Sequence, residues 1–379
     1  NSRLMDRRTF MELGAMAIAG TAIPARAGRY SLGGSPMQTP EHLGRAVLPK
    51  IQVDPKRVIR VVTGLRPYRP SGFALRAERR GAKTIIHNYG HGGCGFTLSW
   101  GTANLAVNHA LHTGSRNAAV LGCGSVGLAT ARLLQDHGFR VTIYAKDLPP
   151  NTTSNIAGGL WMPVTLVDRD KQTPAFADQL SQASRFSHRY FQTLAGPHYG
   201  VRWVEMYYVG DSPAALPWAV SMTPELCSIT TMAPGTHPFK AQYVSLVYVM
   251  LFEPSIYLPA VMSDFCVRGG KIAVRSFPNL ASILRLPEPV IVNCTGLGAK
   301  ALFNDDELIP VKGQLSVLLP QPEVDYAVVS SSSDAYMFPR TDGIILGGSH
   351  ERGEWSLDPD PAVADRILRE NQEIFSPMR

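Results

Sequence analysis

The run Gly122-Cys123-Gly124-Ser125-Val126-Gly127 constrains this chain more than any other feature. It follows a short apolar stretch, Ala118 to Leu121, and leads into a helical pattern that ends near His137, ahead of Gly138. Val141 to Tyr144 is the next β-branched run. A strand, a glycine turn, a helix and a second strand in this order form a dinucleotide-binding unit. Gly122 makes the tight turn, Gly124 lets the backbone approach a pyrophosphate, and Gly127 permits close helix–strand packing. Ser125 and Val126 stand in the first helical turn, whose free N–H groups and dipole favour an anion. Lys146 and Asp147 close the second strand and are the candidates for the ribose contact. The spacing specifies a dinucleotide without choosing a flavin over a nicotinamide.

A second glycine-rich turn, Gly90-His91-Gly92-Gly93-Cys94-Gly95, lies upstream. It follows the run Thr84 to His87 and opens a helix carrying Trp100, Ala103, Val107 and Leu111 on one side. Gly114 stops that helix. Earlier still, Thr63-Gly64-Leu65-Arg66-Pro67-Tyr68-Arg69-Pro70 follows the β-branched run Val58 to Val62. Prolines on both sides of Tyr68-Arg69 stiffen the backbone there, and a rigid arginine suits a bidentate grip on a carboxylate. Residue chemistry alone leaves Arg66 and Arg69 both open for that role. His87 and His91 are four apart but read as strand into turn, so no metal site is expected.

Composition excludes several other classes. Of the 379 residues, 45% are hydrophobic and 18% charged, an ordinary globular balance. The net charge of +7 is scattered without a dense Lys/Arg run, so nucleic acid is not an expected partner. No uninterrupted apolar stretch reaches membrane-spanning length. The five cysteines show no paired metal-ligand spacing and read as small core residues. Residues 1–27 differ in kind: Arg7-Arg8 precede an apolar run, Leu13 to Ile23, and Ala25-Arg26-Ala27 forms a small-x-small cleavage site. This pattern predicts a twin-arginine signal and export to the periplasm or beyond.

The longest motif is His87-Asn88-Tyr89-Gly90-His91-Gly92-Gly93-Cys94-Gly95-Phe96-Thr97, with Trp100-Gly101 after it. Together with Gly64-Leu65-Arg66-Pro67-Tyr68-Arg69-Pro70 it resembles the signatures of the D-amino-acid oxidase family. Further matches are Thr152-Thr153-Ser154, Ala157-Gly158-Gly159-Leu160-Trp161, Val292-Asn293-Cys294-Thr295-Gly296, Lys312-Gly313-Gln314 and Leu346-Gly347-Gly348. The resemblance spans about 51 to 379, but in an unusual order. In that family the nucleotide turn opens the chain and the arginine and His-Asn-Tyr-Gly segments close it, so this chain reads as circularly permuted, with Leu111 to Ala118 as the bridge.

The resemblance implies an α/β fold: an FAD-binding Rossmann-like domain of the glutathione-reductase type plus a mixed β-sheet substrate lobe. The residue pattern gives a signal at 1–27 and a linker rich in turn formers at 28–48, and the resemblance implies FAD-domain segments at 49–165 and 261–303. Substrate-lobe segments fall at 166–260 and 304–356, and a helix at 357–379 joins the FAD domain. FAD would lie over Gly122, Gly124, Ser125, Val126 and Gly127, with Lys146, Asp147, Thr152 and Thr153 near its adenosine and phosphate end. Its flavin end would meet Gly92, Gly93, Cys94, Gly95, Phe96 and Thr97, and Gly159, Leu160 and Met162. The helix opening at Gly95 would aim its positive end at the flavin. Arg66 would clamp the substrate carboxylate, and Tyr243 or Tyr248 would be the active-site tyrosine. The implied reaction is hydride transfer from the α-carbon of a D-amino acid to flavin, giving imino and keto acid, ammonia and, with oxygen, hydrogen peroxide; the alternatives are oxidation or dehydrogenation of another amine, such as an N-substituted glycine, or an exported flavoprotein without turnover. A homodimer is compatible with the resemblance. Cys94 stands where the family usually has an aromatic, and is open to covalent flavin attachment or to a buried free thiol. Met162 replaces a polar residue.

Overall fold

A computed structural model of the chain describes residues 47–214 and 217–378. The twin-arginine segment, and the linker as far as residue 46, lie outside them.

The chain enters through β1 (Val58–Tyr68), then the hairpin β2 (Ala74–Arg80) and β3 (Lys83–Tyr89), then α1 (Ser99–Leu111). The nucleotide unit follows as β4 (Asn117–Leu121), α2 (Ser125–Asp136) and β5 (Arg140–Ala145). Beyond it come α3 (Pro174–Thr193), β6 (Val201–Gly210), α4 (Trp218–Ser221), β7 (Ile229–Thr231), β8 (Tyr243–Phe252) and α5 (Pro254–Val267). Next are β9 (Lys271–Val274), α6 (Leu280–Leu284), β10 (Val290–Asn293), α7 (Ala299–Phe303) and β11 (Ile309–Leu318). The chain ends with β12 (Ala327–Ser330), β13 (Tyr336–Arg340), β14 (Gly343–Gly347), β15 (Glu351–Arg352) and α8 (Pro361–Phe375).

Two sheets organise these elements. The six-stranded sheet has the order β2-β3-β10-β4-β5-β9, parallel except for the β2–β3 hairpin. Its central strands are apolar on both faces, as a sheet covered on both sides requires. Ala118, Val120, Val290 and Val292 pack with α1 and α2, while Ala119, Leu121 and Ile291 pack with Ile283 of α6. The nine-stranded sheet runs β1-β11-β14-β13-β12-β6-β8-β7 with β15 beside β11, and is antiparallel except where β12 meets β6. This is the expected α/β body with a mixed-sheet lobe.

The structure differs from the sequence expectation at several places. The segment 49–165 is divided between the two sheets, because β1 pairs with β11 along the edge of the nine-stranded sheet. That strand also continues through Arg66 and Pro67 to Tyr68, with Pro67 opposite Pro310; an edge strand tolerates the missing donor. The terminal helix α8 lies on the nine-stranded sheet, where Ile367, Leu368 and Phe375 pack with Leu318, Leu346 and Tyr207. Its apolar stripe therefore covers the substrate lobe, not the nucleotide sheet. The helix expected from Gly95 starts at Ser99, after a 3-10 turn over Gly92–Cys94 and a single turn bonded from Leu98 N to Cys94 O. Cys94, Cys123 and Cys227 are buried as expected, but Cys266 is exposed on α5; all five cysteines are free.

Candidate active site

The start of α2 is built by glycine geometry. Gly122 has φ +109°, a region side chains rarely adopt, and a Cβ on it would lie 2.5 Å from the Cys294 carbonyl oxygen. Gly127 presses on the same loop, since its Cβ would fall 2.2 Å from Gly122 O. Gly124 is the N-cap and brings no side chain of its own. Ser154 comes to that end instead: Ser125 N donates to its Oγ at 3.0 Å, which brings the Thr152–Ser154 segment against the helix N-terminus. Lys146 and Asp147 lie at the outer end of β5, paired with each other at 3.4 Å and largely exposed. Nothing in the structure favours either for the ribose.

The two glycine turns meet. A Cβ on Gly95 would stand 3.6 Å from Ser125 Oγ, so the approach to α1 adjoins the start of α2. Thr97 Oγ1 donates to the Met162 and Leu160 carbonyls at 3.4 and 3.5 Å, which runs the 159–162 ribbon along 92–97. Gly159, at φ +94°, lets that ribbon pass within 2.3 Å of Phe252 O for an added Cβ. Thus the glycine turns at 92–95 and 122–127 and the segments 152–154 and 159–162 share one cleft floor, as an extended dinucleotide needs. The Cys94 thiol is buried and bonded to the Val164 carbonyl at 2.7 Å. Burial pushes its pKa up to about 12, so it stays a thiol near neutrality and is unsuited to attack a flavin ring.

Beyond Gly92 and Gly93 a cavity of about 370 Å³ opens, with Arg66 in its wall. Across the sheet from β1, one glycine clears a path for this arginine and another makes room for Tyr336. A Cβ on Gly313 would lie 2.5 Å from the guanidinium nitrogens, and one on Gly347 would lie 2.1 Å from the Tyr336 ring. Along that path Arg66 Nη1 reaches the Ser349 carbonyl at 2.9 Å, and the Tyr336 phenol lies beside the guanidinium. Burial raises the Tyr336 pKa and the arginine partly offsets it. A cation and a phenol O–H side by side make a site for a carboxylate.

Arg69 is occupied elsewhere. Its Nε donates to Asp305 at 2.8 Å and its Nη2 to Glu307, and Nη1 bonds Ser71 and the Gly72 carbonyl. Sequence chemistry left two arginines open; the structure separates them, turning Arg66 to the cavity and Arg69 to a structural network. The cavity lining, among the described residues, includes neither Tyr243 nor Tyr248. Tyr248 is 45% exposed, on the opposite face of β8 from Val247 and Val249, with its hydroxyl toward Glu205. Tyr336 was missed, although Leu346-Gly347-Gly348 was already singled out. An aromatic opening a strand whose register partner is Gly347 was the signal available.

The cavity mouth is braced by a second cluster. Arg352 donates twice to Asp168, at 3.1 and 2.8 Å, and its guanidinium lies 4.9 Å from the Tyr68 ring centre. Tyr68 Oη donates to the same carboxylate at 2.6 Å. Those hydrogen bonds, from Arg352 first, hold the Asp168 pKa below its ordinary value.

Comparison with known proteins agrees with this geometry. Residues 117–379 match the family model described as DAO, FAD dependent oxidoreductase. The chain is 32% identical over 260 residues to a D-amino-acid oxidase from Streptomyces coelicolor, covering 66% of this chain and 75% of that one. It is 28% identical to a human D-aspartate oxidase, covering 66% and 73%. In fold it resembles glycine oxidase from Bacillus cereus (TM-score 0.51, 15% identity, 69% of this chain and 78% of that one).

Proposed function

We propose, for a chain that belongs to the DAO family of FAD-dependent oxidoreductases, that its substrates are D-amino acids, oxidised at the carbon bearing the amine. The observation that carries this reading is Arg66 in the wall of a cavity that begins at Gly92 and Gly93, with the Tyr336 phenol beside its guanidinium. FAD, when bound, supplies the two-electron acceptor. The cleft floor at 92–97, 122–127, 152–154 and 159–162 would hold it, with its pyrophosphate at the start of α2. The rest is positioning. Arg66 grips the α-carboxylate with its planar fork and Tyr336 adds an O–H donor, which leaves one face of the α-carbon toward the glycine turn. The Tyr68–Asp168–Arg352 cluster walls the cavity from solvent on one side. The test is the visible spectrum under anaerobic conditions: D-amino acids should bleach the flavin within seconds and L-enantiomers should not. Bleaching by sarcosine with none by any D-amino acid would reassign the enzyme to N-substituted glycines.

We further infer that the chain is a circular permutation of its relatives. Two things support this: the family match begins at 117, with the nucleotide strand, and the segment that would close the domain stands ahead of it. The seam is also well packed. Leu48 and Ile51 share a core with Phe375 and Met378, Tyr326 Oη donates to Pro49 O at 2.7 Å, and Gln372 bonds Val53 O at 3.0 Å. Residues before β1 thus follow on from α8 in space, which is what a displaced cut requires. Joining 378 to 47 by a short linker and opening the chain at Gly114 should yield a flavin-containing enzyme with native-like melting. An insoluble or colourless product would argue against a permuted origin.

A further inference from the structure

The cavity holds charges that the reading above does not use. Asp334 and His350 both line it, with His350 Nδ1 3.5 Å from Asp334 Oδ2. Backbone connectivity ties the pair to the carboxylate grip. His350 directly follows Ser349, whose carbonyl accepts from Arg66, and Asp334 lies two residues before Tyr336.

Charge balance then singles out Asp334. Arg352, the other cation of the lining, is committed to Asp168 by two hydrogen bonds and forms a closed neutral pair. Arg66 is neutralised once a substrate carboxylate arrives. Burial, and then the nearby Arg66, hold the His350 pKa down, so a neutral imidazole rather than a second cation faces the Asp334 side chain near neutral pH. The aspartate is also held in place. It ends a serine-rich turn in which Ser332 N and Ser333 N donate to Ser330 Oγ at 3.1 and 3.0 Å, and Ala335 N donates to Ser333 Oγ at 3.2 Å. Asp211 N fastens the same turn through Ser332 Oγ at 3.0 Å.

We propose that Asp334, oriented by His350, selects D-amino acids whose side chain carries a cation, an ammonium or guanidinium. The inference rests on the reading that Arg66 takes the α-carboxylate. With that end fixed, the distal charge of the side chain meets the one acidic side chain of the lining among the described residues. An acidic side chain would meet like charge, and an apolar one would strip water from the carboxylate without replacing it.

The experiment compares kcat/KM for D-lysine, D-arginine, D-methionine and D-glutamate in the native enzyme, Asp334→Asn and Asp334→Lys, after checking flavin content and melting. Asparagine keeps the shape and removes the charge, so the D-lysine to D-methionine ratio should fall about two- to fivefold, through KM rather than kcat. Asp334→Lys should raise the D-glutamate to D-lysine ratio above the native value. An unchanged D-lysine to D-methionine ratio in Asp334→Asn, or a native preference for D-glutamate, would overturn the proposal while leaving D-amino-acid oxidation standing. If sarcosine alone is oxidised by the native enzyme, the underlying reading fails and this proposal with it.

Discussion

Replacing Arg66 by alanine should leave a yellow, folded enzyme with little activity. The guanidinium bonds a backbone carbonyl and fills a glycine-cleared path, so its loss removes a ligand contact without opening the core. A charge-assisted bidentate contact contributes on the order of 1.5–3 kcal/mol. That corresponds to a roughly tenfold to hundredfold loss in kcat/KM, measured by steady-state peroxide release. Arg66→Lys should recover only part, because an ammonium lacks the planar fork. Gly313→Ala should behave as a milder form of the same lesion, since its methyl would displace the guanidinium it faces. Arg69→Ala is the contrasting control: it breaks the bonds to Asp305 and Glu307 and should lower the melting temperature more than it changes KM. Equal activity in Arg66→Ala and the native enzyme would remove the carboxylate grip from this position.

Gly124→Val should abolish the flavin colour. The added Cβ would stand 2.9 Å from Ser154 Oγ, the atom that receives the Ser125 N–H, and the branched methyls would enter the path of the pyrophosphate. Flavin occupancy after gel filtration should drop below about a tenth of the native value, because the backbone approach at this glycine has no substitute. Far-ultraviolet circular dichroism separates the outcomes. A native-like spectrum without colour supports the site, whereas a yellow variant would show that the phosphates lie elsewhere.

The parts of this fold legible in the sequence are those with local causes. The strand at 118–121 and the turn at Gly122 declare themselves through an apolar run and glycines within about ten residues, and both stand where they were expected. The same locality explains the choice of Arg66 for the carboxylate, since its motif is contiguous. What escaped depends on distant partners. Val58 to Val62 reads as a strand but carries no mark of its sheet; membership is decided by pairing with β11, some 250 residues on. Tyr336 escaped for the same reason, because its meeting with Arg66 runs through β11 and β14. Tyr243 and Tyr248 both lie on β8, and the lining of the Arg66 cavity, among the described residues, includes neither.

The order of strands in the six-stranded sheet also governs how this chain is made. β3 and β4 are neighbours in sequence, yet β10 lies between them and is synthesised about 200 residues after β3 ends. Likewise β1, among the first described elements to leave the ribosome, must wait for β11. During translation, therefore, the nascent chain presents an incomplete sheet with the apolar edges of β3 and β4 unpaired. Such late closure of non-local contacts slows folding and exposes edges to aggregation. The cleft segments at 92–97, 122–127, 152–154 and 159–162 emerge early, but the sheet that carries the two glycine turns closes only once β10 has been made.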